Sequence, residues 1–73
     1  SNNYYGGLMP LTEYAACLIS GERIYFLAEN IEQAAWDAMK LAEASNDILN
    51  DVIPTELLYV REKEDQEILP AQD

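Results

Sequence analysis

The sequence contains no histidine, a single cysteine (Cys17) and only four basic residues, set against fourteen acidic ones. Each scarcity removes a class of chemistry. One thiol permits no intrachain disulfide, and without histidine or a second thiol no structural zinc site can be assembled. Cys17 has no histidine to activate it as a nucleophile, so it reads as a small buried hydrophobe in the middle of a strand. Asp47 and Asp51, four residues apart, lack the loop pattern of an EF-hand and read as a capping and a solvated aspartate. Gly6-Gly7 is not followed by Gly-Lys-Ser/Thr and is no phosphate loop. The chain is therefore expected to be no enzyme, with no catalytic residue, no cofactor and no metal. A formal charge of −10 leaves too few cations for phosphate contacts, which speaks against direct binding to nucleic acid or to an anionic membrane. No run approaches the roughly 20 apolar residues of a membrane span. No charged-then-apolar leader opens the chain, and a cytoplasmic location is the expectation.

What is present is a plentiful apolar content beside the acid: 49% of the 73 residues are hydrophobic. That content argues against wholesale disorder. A chain of this length buries only about 60% of its unfolded surface. With disulfide and metal excluded, oligomerisation or partner binding is left to support it. Residues 1–11 read as an N-terminal arm, broken by Gly6-Gly7 and Pro10 but carrying Tyr4, Tyr5, Leu8 and Met9. Residues 12–62 read as the domain, and 63–73 as an acidic C-terminal tail with one apolar knot, Ile68-Leu69-Pro70.

Within the domain, the apolar runs Tyr14 to Ile19 and Arg23 to Ala28 flank Ser20-Gly21-Glu22-Arg23, a hairpin pattern. Gly21 at the first central position suits a two-residue type II′ turn. That turn sets Ile19 opposite Ile24, Cys17 opposite Phe26 and Ala15 opposite Ala28. One face then carries Ala15, Cys17, Ile19, Ile24, Phe26 and Ala28, and the other Tyr14, Ala16, Leu18, Tyr25 and Leu27. A helix is expected from Ile31 to Ala44, with Asn30 as N-cap and Gln33 completing a capping box. Ile31, Ala34, Ala35, Ala38, Leu41 and Ala42 form its inner stripe with Met39 at the margin, while Trp36 falls on the opposite side. Ser45-Asn46-Asp47 ends it, Ile48 to Ile53 adds at most a helical turn before Pro54, and Glu56 to Glu62 alternates as a third strand. The expected fold is a two-layer α+β ββαβ domain, a three-stranded antiparallel sheet of order 2-1-3 with one helix on one face.

One helix leaves one apolar sheet face uncovered. Tyr14, Leu18, Tyr25, Leu27 and Tyr59, with Trp36 on the helix exterior, are the candidate partner or self-interface residues. Covering about 400 Å² of such surface is worth on the order of 10 kcal/mol before association costs. The cover is the chain's own arms, a second copy in a homo-oligomer (most simply a dimer), or a foreign protein. Glu32, Asp37, Glu43, Asp47, Asp51, Glu62, Glu64 and Asp65 form the candidate acidic surface. Carboxylates about 6.8 Å apart on a strand, or about 6 Å apart on a helix, can imitate a row of phosphates and occupy a basic cleft.

Ala28-Glu29-Asn30 leading into Ile31-Glu32-Gln33-Ala34-Ala35 resembles the strand-to-helix junction of small acidic accessory proteins of phages and mobile elements, including the HicB antitoxins. The likeness covers about twenty residues; the Pro-Gly-Cys-like loop of HicB proteins and an appended DNA-binding segment are absent, and no functional residue carries over. Charge beside an uncovered aromatic face gives the expectation of a non-enzymatic protein-binding module, a phage or mobile-element accessory protein that inhibits or modulates a basic nucleic-acid-handling protein. DNA mimicry is one form this could take, a merely solvated acidic surface the other. A homo-oligomeric structural or regulatory protein and an antitoxin-like toxin neutraliser are the alternatives.

Overall fold

The computed structural model describes residues 10–68, and places β1 at Thr12–Leu18 and β2 at Arg23–Ala28. Most of the sequence-predicted arm (residues 1–9) and the end of the tail (residues 69–73) lie outside the described residues. The two strands are joined by a longer connection than a two-residue turn. The Gly21 N–H donates to the Leu18 carbonyl and the Leu18 N–H to the Glu22 carbonyl, each at 2.9 Å. Ile19 and Ser20 are thus the centre of the turn, and Gly21, at φ +100°, is the left-handed residue that follows it. This is a three-residue bulged loop, which still requires glycine but one step later than expected.

The consequence is a register slipped by three residues: Cys17 faces Arg23, Ala15 faces Tyr25 and Tyr14 faces Phe26. Because side chains alternate, an odd slip exchanges the faces of one strand relative to the other. Tyr14, Ala16 and Leu18 share a face with Ile24, Phe26 and Ala28, whereas Ala15 and Cys17 share theirs with Tyr25 and Leu27. Ile19, expected on the core face, lies exposed in the turn.

The helix α1 spans Ile31–Ala44, as its caps predict. Asn30 is extended and its Oδ1 accepts from the Gln33 N–H at 2.8 Å; the Gln33 side chain reaches back to the Glu29 N–H at 2.7 Å. At the other end Asn46 takes φ 56°, with its N–H on the Glu43 carbonyl and the Asp47 N–H on that of Ala42. These are the two bonds of a Schellman cap, with asparagine where glycine is usual. The buried stripe is narrower than expected: Ala34, Ala38 and Ala42 are covered, while Ile31, Ala35 and Met39 are exposed. The small residues let α1 sit close on the Tyr14 face, where Tyr14, Ala28 and Ala34 pack with Phe26 and Val52. The Tyr14 and Phe26 rings stack at 6.1 Å.

The third strand is not where alternation places it. β3 spans Leu49–Pro54, and the segment from Thr55 to Ile68 is a second helix, α2. β3 escapes a period-two reading because it is covered on both faces: Val52 packs toward α1 and Ile53 toward α2. Pro54 ends the strand opposite Tyr14, an outer position that needs no amide donor on its free side. The residues after it are rich in Glu, Leu, Lys and Arg, strong helix formers that outweigh a short apolar alternation. The Thr55 hydroxyl donates to the Glu13 carbonyl at 3.1 Å and to its carboxylate at 3.0 Å, so the chain turns back over the sheet at once. The sequence-predicted boundary at residue 62 therefore falls inside α2.

The α+β fold and the strand order β2-β1-β3, antiparallel throughout, are those expected. The correction is the second helix. Leu58 of α2 packs with Ala15, Ile53 and half-buried Cys17, which makes the sheet a layer between two helices. A helical α2 makes Leu58 structural and Val60 peripheral, although both would share a face in a strand. Leu58→Ala should cost about 2–4 kcal/mol and Val60→Ala less than about 0.5 kcal/mol, as measured by urea unfolding; equal costs would contradict the helix.

Candidate functional site

The described core mixes alanines with a few large side chains: Ala15, Ala16, Ala34 and Ala38 are wholly covered, and Tyr14, Leu18, Ile53 and Leu58 are nearly so. Many other bulky apolar residues lie outside: Trp36 is 65% exposed, Tyr59 66% and Ile48 65%, with Tyr25, Leu27, Met39 and Leu57 more than half exposed. Exposed apolar area on this scale marks an interaction surface more often than a solvent face.

The sequence-predicted interface residues divide three ways. Tyr14 and Leu18 are core residues beneath α1, 5% and 3% exposed, because the register slip turns them inward. Tyr25, Leu27 and Tyr59 gather on the α2 side. Glu62 reaches Arg23 at the start of β2 while Arg61 reaches Asp51 on β3, so α2 runs above β1. Tyr59, three residues before Glu62, lies on the β2 flank of the helix. It borders the part of the sheet face that α2 leaves open, where Tyr25 and Leu27 stand. Trp36 lies on the far side of the molecule, on the exterior of α1.

Trp36 has neighbours that sequence reasoning did not assign to it. A hollow of about 360 Å³ between the C-terminal half of α1 and the lead into β3 is lined by Trp36, Met39, Ala42, Ile48 and Leu49, with Glu43 and Asp47 among its polar members. A second, of about 470 Å³, adjoins it through the shared Trp36 and Met39 and includes Glu32 and Ala35. Met39 stands at the margin of the helical stripe and so was legible. Ile48 and Leu49 were hidden by the helical reading of their segment.

The eight sequence-predicted acidic residues do not form one row. Asp51 pairs with Arg61 at 3.4 Å and Glu62 with Arg23. Asp47 accepts from the Ser20 hydroxyl and from the Ile48 N–H, tying the hairpin loop to the α1–β3 connection. Glu32 and Glu43 flank Trp36 on α1, while Asp37 lies on the β2 side of that helix, beside Phe26 and Leu41. Glu64 is exposed on α2, across the sheet, and the Asp65 side chain lies outside the described residues. The four basic residues are all engaged within the chain: Arg23 and Arg61 with carboxylates, Lys40 over the Trp36 ring and Lys63 over the Tyr59 ring, each ammonium 5.9 Å from the ring centroid. The hydrogen bond and charge of Glu62 hold the Arg23 pKa above its usual value.

Among the described residues no three His, Cys, Asp or Glu side chains converge on a metal-sized position, and no helix is long and apolar enough to cross a membrane. No family model matches the chain, nor does any curated protein or solved structure.

The hydrogen bond from Ser20, followed by that from the Ile48 amide, holds the Asp47 carboxyl below the ordinary value of 3.8. A carboxylate depressed on folding contributes stability above its unfolded pKa and loses it as pH falls through the folded one. In a carboxyl-carbon NMR titration Asp47 should therefore titrate below 3.8 and move upward in Ser20→Ala. A wild-type midpoint at or above that value would show the tie is not formed.

Proposed function

We propose that this chain is a non-enzymatic protein-binding module whose partner is a basic protein, of the nucleic-acid-handling kind. The observation that carries this reading is the number of large apolar side chains left exposed on so small a domain: Trp36, Met39, Ile48, Tyr25, Leu27 and Tyr59. Aromatic residues set among carboxylates suit a partner that brings apolar surface and positive charge together. The net charge of −10 accelerates encounter with such a partner and opposes close approach of acidic ones. Because the free carboxylates sit on opposite sides of the sheet, affinity on this reading comes from the aromatic surfaces, with charge steering the approach.

A second reading is favoured by the β2 edge. Strand β2 lies at one edge of the sheet without proline or bulge, and Tyr25 and Leu27 stand half-exposed beside it. An edge of that description is a template for pairing with a second copy.

Salt separates the two. Binding to a basic protein should weaken steeply as salt rises, because exposed charges are screened beyond a Debye length, and should fall further with Glu32→Lys and Glu43→Lys. Self-association should instead strengthen with salt as like charges are screened, and vanish with Leu27→Lys in sedimentation velocity. A chain that stays monomeric at every salt concentration removes the second reading. Indifference of every basic protein tested, at low salt, removes the first.

A further inference from the structure

Resting on the binding-module reading, we infer that the Trp36 surface of α1 is the docking site, and that its occupant is a basic amphipathic segment of the partner. Three features of the surface specify that occupant. The apolar hollows on either side of the Trp36–Met39 ridge, with Ile48 and Leu49 at the far wall, accept aliphatic side chains. Carboxylates of Glu32, Glu43 and Asp47 stand among the lining residues of those hollows, so an apolar segment that also carries cations meets opposite charge at the rim. The third feature is the indole itself, which already holds a cation.

Lys40, one turn along α1 from Trp36, places its ammonium 5.9 Å from the ring centroid. The distance is at the outer limit of a cation–π contact, and Trp36 as a residue is 65% exposed with Lys40 in place, so the contact leaves the indole open to solvent. Lys40 occupies the position that an arginine or lysine of the partner would take, in a site whose surrounding charge is negative. It is an internal place-holder: its displacement opens the ring face, and a planar guanidinium stacks there better than an ammonium. Tyr59 and Lys63 repeat the pair on α2, which provides a control with the same charge change at a different place.

Trp36 is the sole tryptophan, so its fluorescence reports this surface alone. The probe is a synthetic amphipathic helix of leucine and arginine, compared with the same peptide carrying glutamine at every arginine. The free chain should show the red-shifted emission of a water-exposed indole, independent of protein concentration. The arginine peptide should shift it to the blue and the glutamine peptide should not. With a labelled peptide read by anisotropy, Trp36→Leu should weaken binding about tenfold or more, the loss expected of an interface anchor. Lys40→Ala should tighten binding severalfold while Lys63→Ala leaves it nearly unchanged.

A blue emission in the free chain would overturn the inference, since the surface would then be covered by another part of the chain or, if concentration-dependent, by a second copy. Equal response to both peptides, or equal tightening by the two lysine variants, would overturn it as well. If the arginine peptide binds without moving the Trp36 emission, and Tyr25→Ala or Tyr59→Ala weakens it instead, this site is wrong and the binding-module reading stands. If neither this peptide nor any basic protein binds, both fall.

Discussion

The structure depends on the close fit of β1 between two helices. Ala15 and Ala16 are adjacent, point to opposite faces and are both fully covered, one beneath α2 and the other beneath α1. Only a small side chain allows helices to approach a strand so nearly on both sides, and α1 answers with its own row of alanines. The arrangement closes a thin domain in which alanines line the tightest contacts and only Tyr14, Leu18, Ile53 and Leu58 are large side chains at the core. Its cost is a modest apolar payload, because burial stabilises in proportion to area. Many of the other large apolar side chains stand on the exterior, where they form the candidate surfaces.

Charge is distributed in a complementary way. Two of the four cations hold α2 to the sheet through ion pairs at Arg23–Glu62 and Arg61–Asp51. Exposed pairs of this kind contribute roughly 0–1 kcal/mol each, enough to set the direction of a helix whose main anchor is Leu58. The other two lie on the exposed aromatics of the two helices. The acid excess is left unbalanced and gathers most usefully around Trp36, where it adjoins apolar surface.

Much of this was legible in the sequence. Asn30, Gln33 and the Ser45-Asn46-Asp47 stop delimit α1 because helix ends are decided by local hydrogen bonds that short side chains provide. The sheet order followed from connection rules, and Trp36 stood out as a bulky residue on the polar side of its helix. The losses share one cause, the use of alternation where tertiary cover decides. Val52 and Ile53 are consecutive and both face a helix, so β3 shows no period of two. Leu57, Leu58, Tyr59 and Val60 imitate alternation, although only Leu58 is inward. The hairpin register turned on whether Gly21 leads or follows its turn, and the odd slip moved Tyr14 and Leu18 from the candidate surface into the core. One helix cannot cover this much apolar surface, as the composition of the strands shows. A second helix covers part of the excess, and Ile48 and Leu49 enlarge what is left around Trp36.

The proposed surface rests on an open indole in negative surroundings on the exterior of α1. Collisional quenching of Trp36 fluorescence in the free chain, at low ionic strength, tests it with neutral, cationic and anionic quenchers. Acrylamide should quench nearly as well as it does free tryptophan. With each constant divided by that for free tryptophan, caesium should be favoured over iodide because the carboxylates of Glu32, Glu43 and Asp47 attract one and repel the other. Protection from acrylamide, or a normalised iodide constant as large as that of caesium, would show that the indole is covered or that its surroundings are not negative.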